Sequence, residues 1–319
     1  MQSAFFNLQS NKFILLSGIL ATFVVTMLLI KYFSKRLPSD RGKAYAVGGE
    51  YAKGKPNGAG VIIIPCFAVM RLIIMPVDLE GLIYCGLAIV AMISGFLDDK
   101  AAIPWSDYKK GLIDLIIAAA TMIAFVWLNP ESIGFQFFGG FVFLPKIVFI
   151  IMGIILLWVS INVTNCVDGV DGLCGVLSII TLASLYFMQM GDNGYHSGSI
   201  LILIACISGY LWFNISPSKL LMGDAGSRAI GFFIGVMALK TYNPFMYLLV
   251  AFMLWVDGGI GLFKIFLIRF FKVHIMKNIR APIHDYARKT LGWSDPQVVY
   301  RFAAIQIIVS CIALLSDGF

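Results

Sequence analysis

The amino-acid sequence predicts an all-α, polytopic integral membrane protein with ten transmembrane helices. Hydrophobic residues make up 60% of the 319 residues and charged residues only 13%, about half the charged share of an average soluble domain. Mean hydropathy is +0.89. In addition, apolar segments approaching the roughly 20 residues that cross a bilayer recur along the whole chain. We therefore expect lipid, rather than water, to surround most of the protein.

The predicted spans form one transmembrane domain covering residues 1–319. The first is expected to be a retained helix, because it lacks the small-residue cleavage site of a signal peptide. The eighth is short, and the sequence does not define where the ninth ends near Lys264. In chain order the spans run from Phe13 to Ile30, Ala59 to Met75, Leu79 to Leu97, Gly111 to Leu128, Leu144 to Ile161, Leu173 to Met190, Gly198 to Phe213, Arg228 to Leu239, Pro244 to Phe263 and Tyr300 to Leu315.

The basic residues predict the orientation of these helices. Most of the 24 Lys and Arg residues fall on alternate loops, which the positive-inside rule assigns to the cytoplasm. An even number of spans then puts both termini on the extracytoplasmic side. The same rule accounts for the net charge of +7, so no nucleic-acid partner is implied. The expected cytoplasmic loops, which would form the active site, cover about 31–58, 98–110, 162–172, 214–227 and 264–299.

Three acidic clusters fall on these cytoplasmic loops. The first is Asp98-Asp99, a pair of carboxylates that ends an apolar segment beginning at Leu79. Carboxylates at this depth favour a cation-binding or proton-transfer role. A solvated helix end remains the alternative.

The second cluster places Asn165, Asp168 and Asp171 at intervals of three, with Gly169 and Gly172 between and after them. Hard oxygen ligands without a neighbouring His or Cys favour Mg²⁺ over zinc. Glycine allows a ligand to approach the backbone closely. An Asx-rich turn without a ligand is the alternative.

The third cluster joins Asn214 to the run Gly223-Asp224-Ala225-Gly226-Ser227 at the start of the eighth predicted span. Backbone N–H groups of Gly226 and Ser227 at a helix N-terminus favour a phosphate. Asp224 would repel that phosphate unless a metal lay between them. Mg²⁺ commonly binds one or two carboxylates together with substrate phosphates, so we predict Mg²⁺ at Asp224, with Asp168 as a second ligand.

Two further segments offer candidate residues on the same side. Lys53 stands in a glycine-rich approach to the second span, where its ammonium is expected to contact an anionic substrate. Of the three histidines in the chain, only His284 lies within the charged run from Arg280 to Lys289. A surface role for this histidine is the alternative.

These motifs resemble, in order and spacing, those of the polyprenyl-phosphate N-acetylhexosamine-1-phosphate transferases. The resemblance extends from about Arg41 to Phe302. It is closest to the members that act in peptidoglycan assembly, through Pro282-Ile283-His284, Leu291-Gly292-Trp293 and the run from Val298 to Phe302.

The resemblance implies transfer of phospho-MurNAc-pentapeptide from UDP-MurNAc-pentapeptide to undecaprenyl phosphate, with release of UMP. It also implies a homodimer in the bacterial inner membrane and an active site that faces the cytoplasm. The catalytic residues would be Asp98, acting as general base, with Asp99, Asp224 and His284. The residues expected to bind substrate are Lys53, Asn165, Asp168, Asp171, Asn214, Gly226 and Ser227.

The chain departs from the family pattern at several positions. Asp285 and Tyr286 replace the second and third histidines of a three-histidine motif. Ala102 replaces a lysine, for which Lys100 is the nearest substitute, and Asp114 replaces another. Lys264 stands where a glutamine is usual.

Two other functions remain open at this stage. One is a sister transferase that uses UDP-GlcNAc as donor. The other is an ion-coupled secondary transporter, although the carboxylates lie at helix ends rather than at mid-membrane and no internal repeat is visible. The sequence also leaves open whether transfer is direct or passes through a covalent phospho-enzyme.

Overall fold

The computed structural model describes residues 2–42, 52–137, 140–189, 197–273 and 280–317. Parts of two predicted cytoplasmic loops, residues 43–51 and 274–279, lie outside the described residues, as does the end of the sixth predicted span at Met190.

Within the described residues the chain is almost entirely helical. The first seven helices are α1 (Gln2–Phe33), α2 (Gly60–Ile74), α3 (Leu79–Lys100), α4 (Asp107–Leu128), α5 (Lys146–Val167), α6 (Leu173–Met188) and α7 (Ser197–Asn214). They are followed by α8 (Gly223–Lys240), α9 (Pro244–Val250), α10 (Phe252–Leu254), α11 (Ile260–Phe266), α12 (Ile283–Lys289) and α13 (Asp295–Asp317). A short 3₁₀ turn covers Ser34–Arg36, and π-helical turns cover Trp255–Gly259 and Leu267–Phe271.

Each predicted span contains a helix, but not every helix is long and apolar enough to cross a membrane. Among the described residues, α1, α3, α4, α5, α7 and α13 meet both conditions, and α9 with the helix after it makes a seventh if that bent pair is one span. Helices α2 and α6 are apolar but shorter. Helix α8 carries three charged residues, Asp224, Arg228 and Lys240. The protein is therefore a multi-pass helical membrane protein, and the count of ten spans with both termini outside stays a prediction.

Helix α8 forms the centre of the bundle. Every residue from Ala225 to Leu239 is buried, and α2, α3, α5 and α6 pack around it. Burial on all sides explains why this helix is apolar over most of its circumference. The outer helices surround α8 and present a wide surface to lipid. Exposed side chains on that surface, such as Leu16, Ile123 and Ile312, are apolar.

Two regions differ from the prediction, one because it contains strands and the other because its helix is bent. Gly134–Phe137 and Gly140–Phe143 pair as an antiparallel hairpin, in the register Gly134 opposite Phe143. The glycine- and aromatic-rich sequence of this segment fits a hairpin better than a helix. The ninth predicted span is also not straight: it bends by 77° between α9 and Phe252 and continues as helix to Phe271. The helix therefore runs past Phe263, an end that the sequence left undefined near Lys264.

Candidate active site

The three acidic clusters meet at one end of the bundle, which we call the polar end and define by Asp98, Asp168 and Asp224. Asp98 near the end of α3 and Asp224 at the start of α8 contact the same lysine. Asn165, three residues before Asp168, accepts a hydrogen bond from Ser227, three residues after Asp224 (2.7 Å). Residues that are far apart in the sequence therefore converge at a single site.

Lys110 joins the first and third clusters. Its ammonium forms an ion pair with Asp98 Oδ2 and lies 2.9 Å from Asp224 Oδ2. The other oxygen of Asp98 accepts a hydrogen bond from the backbone N–H of Trp105 (2.6 Å). The Asp98 side chain is only 6% exposed, whereas those of Asp224 and Lys110 are 14% and 22% exposed. Asp224 and Lys110 are thus the more open members of the group.

Asp99 has a different role from its neighbour. Its two carboxylate oxygens accept hydrogen bonds from the backbone N–H groups of Asp224 (3.1 Å) and Ala225 (3.0 Å). These N–H groups at the start of α8 have no partner within the helix, so Asp99 caps α8 from the neighbouring helix α3. A negative charge here also interacts favourably with the dipole of α8. The paired aspartates therefore divide their contacts: Asp98 binds Lys110, and Asp99 binds the start of α8.

Glycines bring the backbones of these helices unusually close together. A Cβ atom at Gly60 would lie 2.1 Å from the backbone nitrogen of Gly226, and one at Gly95 would lie 2.2 Å from the carbonyl oxygen of Asp224. Neither contact is tolerable, so any larger residue would force the helices apart. The close approach holds the start of α8 against α2 and α3, which sets the position of Asp224.

The second cluster is tied to the end of α7. Asn214 accepts a hydrogen bond from the N–H of Gly172 (2.8 Å) and donates one to the carbonyl of Leu220 (2.9 Å). Asp171 accepts a hydrogen bond from the N–H of Ser218 (2.9 Å), and Lys55 lies 3.7 Å from the same carboxylate. These contacts clamp the turn after α5 to the segment before α8. Asp168, at the end of α5, is half-buried.

His284 lies beside this second cluster. A Cβ atom at Gly169 would lie 2.4 Å from Nε2 of His284, so the glycine makes room for the imidazole. The carboxylate of Asp257 contacts His284 twice: one oxygen accepts a hydrogen bond from the backbone N–H of His284, and the other lies against Nδ1 of the imidazole, both at 2.7 Å. Both side chains are buried. This pairing fixes the orientation of the ring, and it places the last predicted loop against the turn that carries Asp168.

Three predicted substrate-binding residues lie elsewhere or are less accessible. Lys53 is exposed in the turn before α2. Gly226 and Ser227 are buried near the start of α8, and the backbone N–H groups just before them, of Asp224 and Ala225, donate to Asp99. Contacts of Lys53, Gly226 and Ser227 with a substrate stay predictions.

The structure revises two details of the sequence interpretation. The predicted loops are shorter than expected, because α3 extends to Lys100, α5 to Val167 and α8 begins at Gly223. Many site residues therefore lie on helix ends rather than in loops. The second detail concerns the missing family lysine: Lys100 is exposed, and Lys110 contacts Asp98 instead.

Two residues of the site were missed as site residues at the sequence level. Lys110 lies within the predicted cytoplasmic loop 98–110 as one of several basic residues, and its contacts depend on the angle at which α4 leaves the turn after α3. Asp257 did carry a signal. It is the one acidic residue in the predicted span from Pro244 to Phe263, and a carboxylate inside such a span is rarely without a function.

The polar end fits a hydrated Mg²⁺ ion bound together with a substrate. Among the described residues, no group of three or more His, Cys, Asp or Glu side chains forms a ready-made metal site. Mg²⁺ does not require one, because it commonly uses one or two carboxylates, substrate phosphates and water. Here two carboxylates, those of Asp98 and Asp224, share the ammonium of Lys110, which leaves an excess of negative charge. The donor set is all oxygen, as Mg²⁺ prefers.

Known proteins with similar sequences point in the same direction. A phospho-N-acetylmuramoyl-pentapeptide-transferase from Treponema pallidum is 36% identical over 94% of this chain and 88% of its own length. Enzymes of the same name from Campylobacter lari and Campylobacter jejuni are 28% and 29% identical over 90% and 82% of this chain, and over 88% and 80% of their own lengths. The model of Glycosyl transferase family 4 matches residues 82–242, which include the first two acidic clusters and Asp224. The chain therefore belongs to glycosyl transferase family 4.

Proposed function

We propose that this protein transfers phospho-MurNAc-pentapeptide from UDP-MurNAc-pentapeptide to undecaprenyl phosphate, which yields lipid I and UMP for peptidoglycan biosynthesis. The relatives that match most of the chain are named for this type of transfer. The observation that carries the proposal is the arrangement of Asp98, Lys110 and Asp224 at the polar end of a membrane-embedded helix bundle.

The proposed reaction is a phosphoryl transfer. An oxygen of the lipid phosphate attacks the sugar-linked phosphorus of the donor, and the bond from that phosphorus to the bridging oxygen breaks, so that UMP leaves with the bridging oxygen. Such reactions depend mainly on positioning and on neutralisation of charge. Lys110 supplies a cation of the chain at this point, and we assign Asp98 as the base that accepts a proton from the lipid phosphate.

Mg²⁺ bound at Asp224 would neutralise charge on the diphosphate. We assign the metal to Asp224 because its carboxylate is more exposed than that of Asp98 and, unlike that of Asp99, is not used to cap a helix. Asp168 would be a second ligand or an outer contact.

The second cluster and His284 would bind the nucleotide and diphosphate. Asn165 contacts Ser227, three residues after Asp224, and His284 packs against Gly169 in the turn that carries Asp168. Because Asp257 fixes the imidazole through Nδ1, Nε2 is the ring nitrogen left to face this turn.

The location follows from the two substrates. A lipid acceptor reaches the polar end from the bilayer, and a soluble sugar nucleotide reaches it from the cytoplasm. We therefore propose the bacterial inner membrane, with the polar end on the cytoplasmic side, and a homodimer as the assembly.

Purified protein in detergent provides the test. UMP release is measured with undecaprenyl phosphate and either UDP-MurNAc-pentapeptide or UDP-GlcNAc, with and without Mg²⁺. We expect release only with the pentapeptide donor, the lipid and the metal together. Release with UDP-GlcNAc but not with the pentapeptide donor would identify a sister activity. No release with either donor would refute the proposed transfer.

A further inference from the structure

Two ion pairs, one helical turn apart, connect α4 to α8. The outer pair is Lys110 with Asp224, at 2.9 Å. The inner pair is Asp114 with Arg228, whose Nη2 and Nε lie 2.5 Å and 3.2 Å from Asp114 Oδ1. Because each pair advances by four residues along both helices, α4 and α8 run in the same direction here.

The inner pair is buried far more deeply than the outer one. The side chains of Asp114 and Arg228 are each 1% exposed. Asn162 donates a hydrogen bond to the second oxygen of Asp114 (3.3 Å). Arg228 Nη2 also donates to the backbone carbonyl of Lys110 (3.4 Å). Arg228 thus contacts both the partner carboxylate and the main chain of the residue that bridges Asp98 and Asp224.

A buried ion pair of this kind is weak evidence for a role in stability. Replacing both members by hydrophobic residues of similar volume is often neutral or even stabilising. What the pair does provide is a defined geometry, since guanidinium and carboxylate meet through two nitrogens of a planar group.

The order of charges also suits the outer pair. Asp114 lies one turn after Lys110 on α4, and Arg228 lies one turn after Asp224 on α8. Opposite charges four residues apart on a helix attract, and like charges repel. The inner pair therefore supports both the position and the charge of Lys110 and Asp224.

We propose that Asp114 and Arg228 are positioning residues for the transfer reaction, which hold Lys110 in register with Asp98 and Asp224. This inference rests on the proposed function, because its measure is the rate of transfer. Neither residue is expected to touch a substrate. Their effect should appear in kcat, while binding of the donor stays unchanged.

The test is the double variant Asp114→Leu/Arg228→Leu, which removes both buried charges. We expect folded protein with a thermal midpoint close to that of the wild type and an unchanged dissociation constant for the UDP-linked donor. Because misplacement by about 1 Å can slow a reaction about a hundredfold, we expect kcat to fall by about that factor. Wild-type kcat in this variant would overturn the inference.

A matched control uses the ion pair at the opposite end of α8. Lys240 lies 3.0 Å from Glu80 Oε1, so Glu80→Leu/Lys240→Leu removes an ion pair of the same helix far from the polar end. Its kcat should stay near the wild-type value. An equal loss of kcat in the control would also overturn the inference, because the effect would then be a general one on α8.

A second variant decides the question if the double leucine protein does not fold. Asp114→Arg/Arg228→Asp keeps a buried ion pair but places an arginine one turn from Lys110 and an aspartate one turn from Asp224. A folded protein with a large loss of kcat supports the inference, and full activity contradicts it. Absence of transfer in the wild type itself would instead refute the proposed function, so the two failures are distinguishable.

Discussion

Lys110→Met removes an ammonium that Asp98 and Asp224 share. The substitution keeps the length of the side chain but deletes the ion pair with Asp98 and the 2.9 Å contact with Asp224. Removing one group that stabilises transition-state charge typically lowers the rate by about 10²–10³, or about 3–4 kcal/mol. The lysine side chain is 22% exposed, so we expect a smaller loss of folding stability, about 1–3 kcal/mol.

The assay is UMP release at saturating Mg²⁺ under steady-state conditions, with thermal unfolding measured on the same preparations. Lys109→Met is the matched control, because Lys109 is the adjacent lysine and its ammonium lies over the ring of Trp105 rather than between carboxylates. We expect near wild-type rates in the control and partial activity in Lys110→Arg. Wild-type kcat/KM in Lys110→Met would refute the role given to this lysine.

Three further variants and one control variant test other contacts of the site. Asp98→Asn should abolish transfer but leave donor binding intact in calorimetry, and transfer at the wild-type rate would exclude Asp98 as the base. Gly60→Ala should destabilise the protein by about 1–3 kcal/mol, because the added methyl meets backbone 2.1 Å away. Gly86→Ala, with no atom within 4 Å of the added Cβ, should be neutral or slightly stabilising in the same unfolding experiment. Asp257→Asn should lower the transfer rate and cost about 1–3 kcal/mol of stability, because the buried imidazole of His284 loses its carboxylate partner; unchanged rate and stability would show that this contact is dispensable.

Much of the helical framework could be predicted from hydrophobicity alone. Every predicted span contains a helix, because about 20 apolar residues in a bilayer have no other way to satisfy their backbone hydrogen bonds. The antiparallel strand pair of Gly134–Phe137 and Gly140–Phe143 was not predicted. Its backbone is satisfied by strand pairing and by a hydrogen bond from Gln136 to the carbonyl of Tyr242 (2.7 Å), a contact between distant parts of the chain.

The ends of the helices were harder to predict than their centres. Asn162 and Asn165 are polar residues that usually favour turns, yet both continue α5. Their side chains find partners on neighbouring helices, Asp114 and Ser227, and this tertiary contact outweighs local preference. The bend before Phe252 and the π-helical turn around Asp257 likewise depend on packing that no local pattern reports.

The candidate site was predictable as a set of residue types but not as a set of contacts. The carboxylates, glycines and His284 could be selected from spacing and from the resemblance. The division of labour between Asp98 and Asp99 could not, because it depends on which of the two faces the start of α8. The bridging position of Lys110 depends in the same way on the geometry of the turn from Ala101 to Ser106.

The central claim is that the carboxylates of the polar end hold a divalent cation on the diphosphate of the donor. The most direct measurement replaces Mg²⁺ with Mn²⁺ and records electron–nuclear double resonance in the presence of UDP-MurNAc-pentapeptide. We predict phosphorus hyperfine coupling from the donor diphosphate to bound Mn²⁺, and loss of that bound species in Asp224→Asn. Coupling that persists unchanged in Asp224→Asn, or bound Mn²⁺ without any phosphorus coupling, would contradict the account.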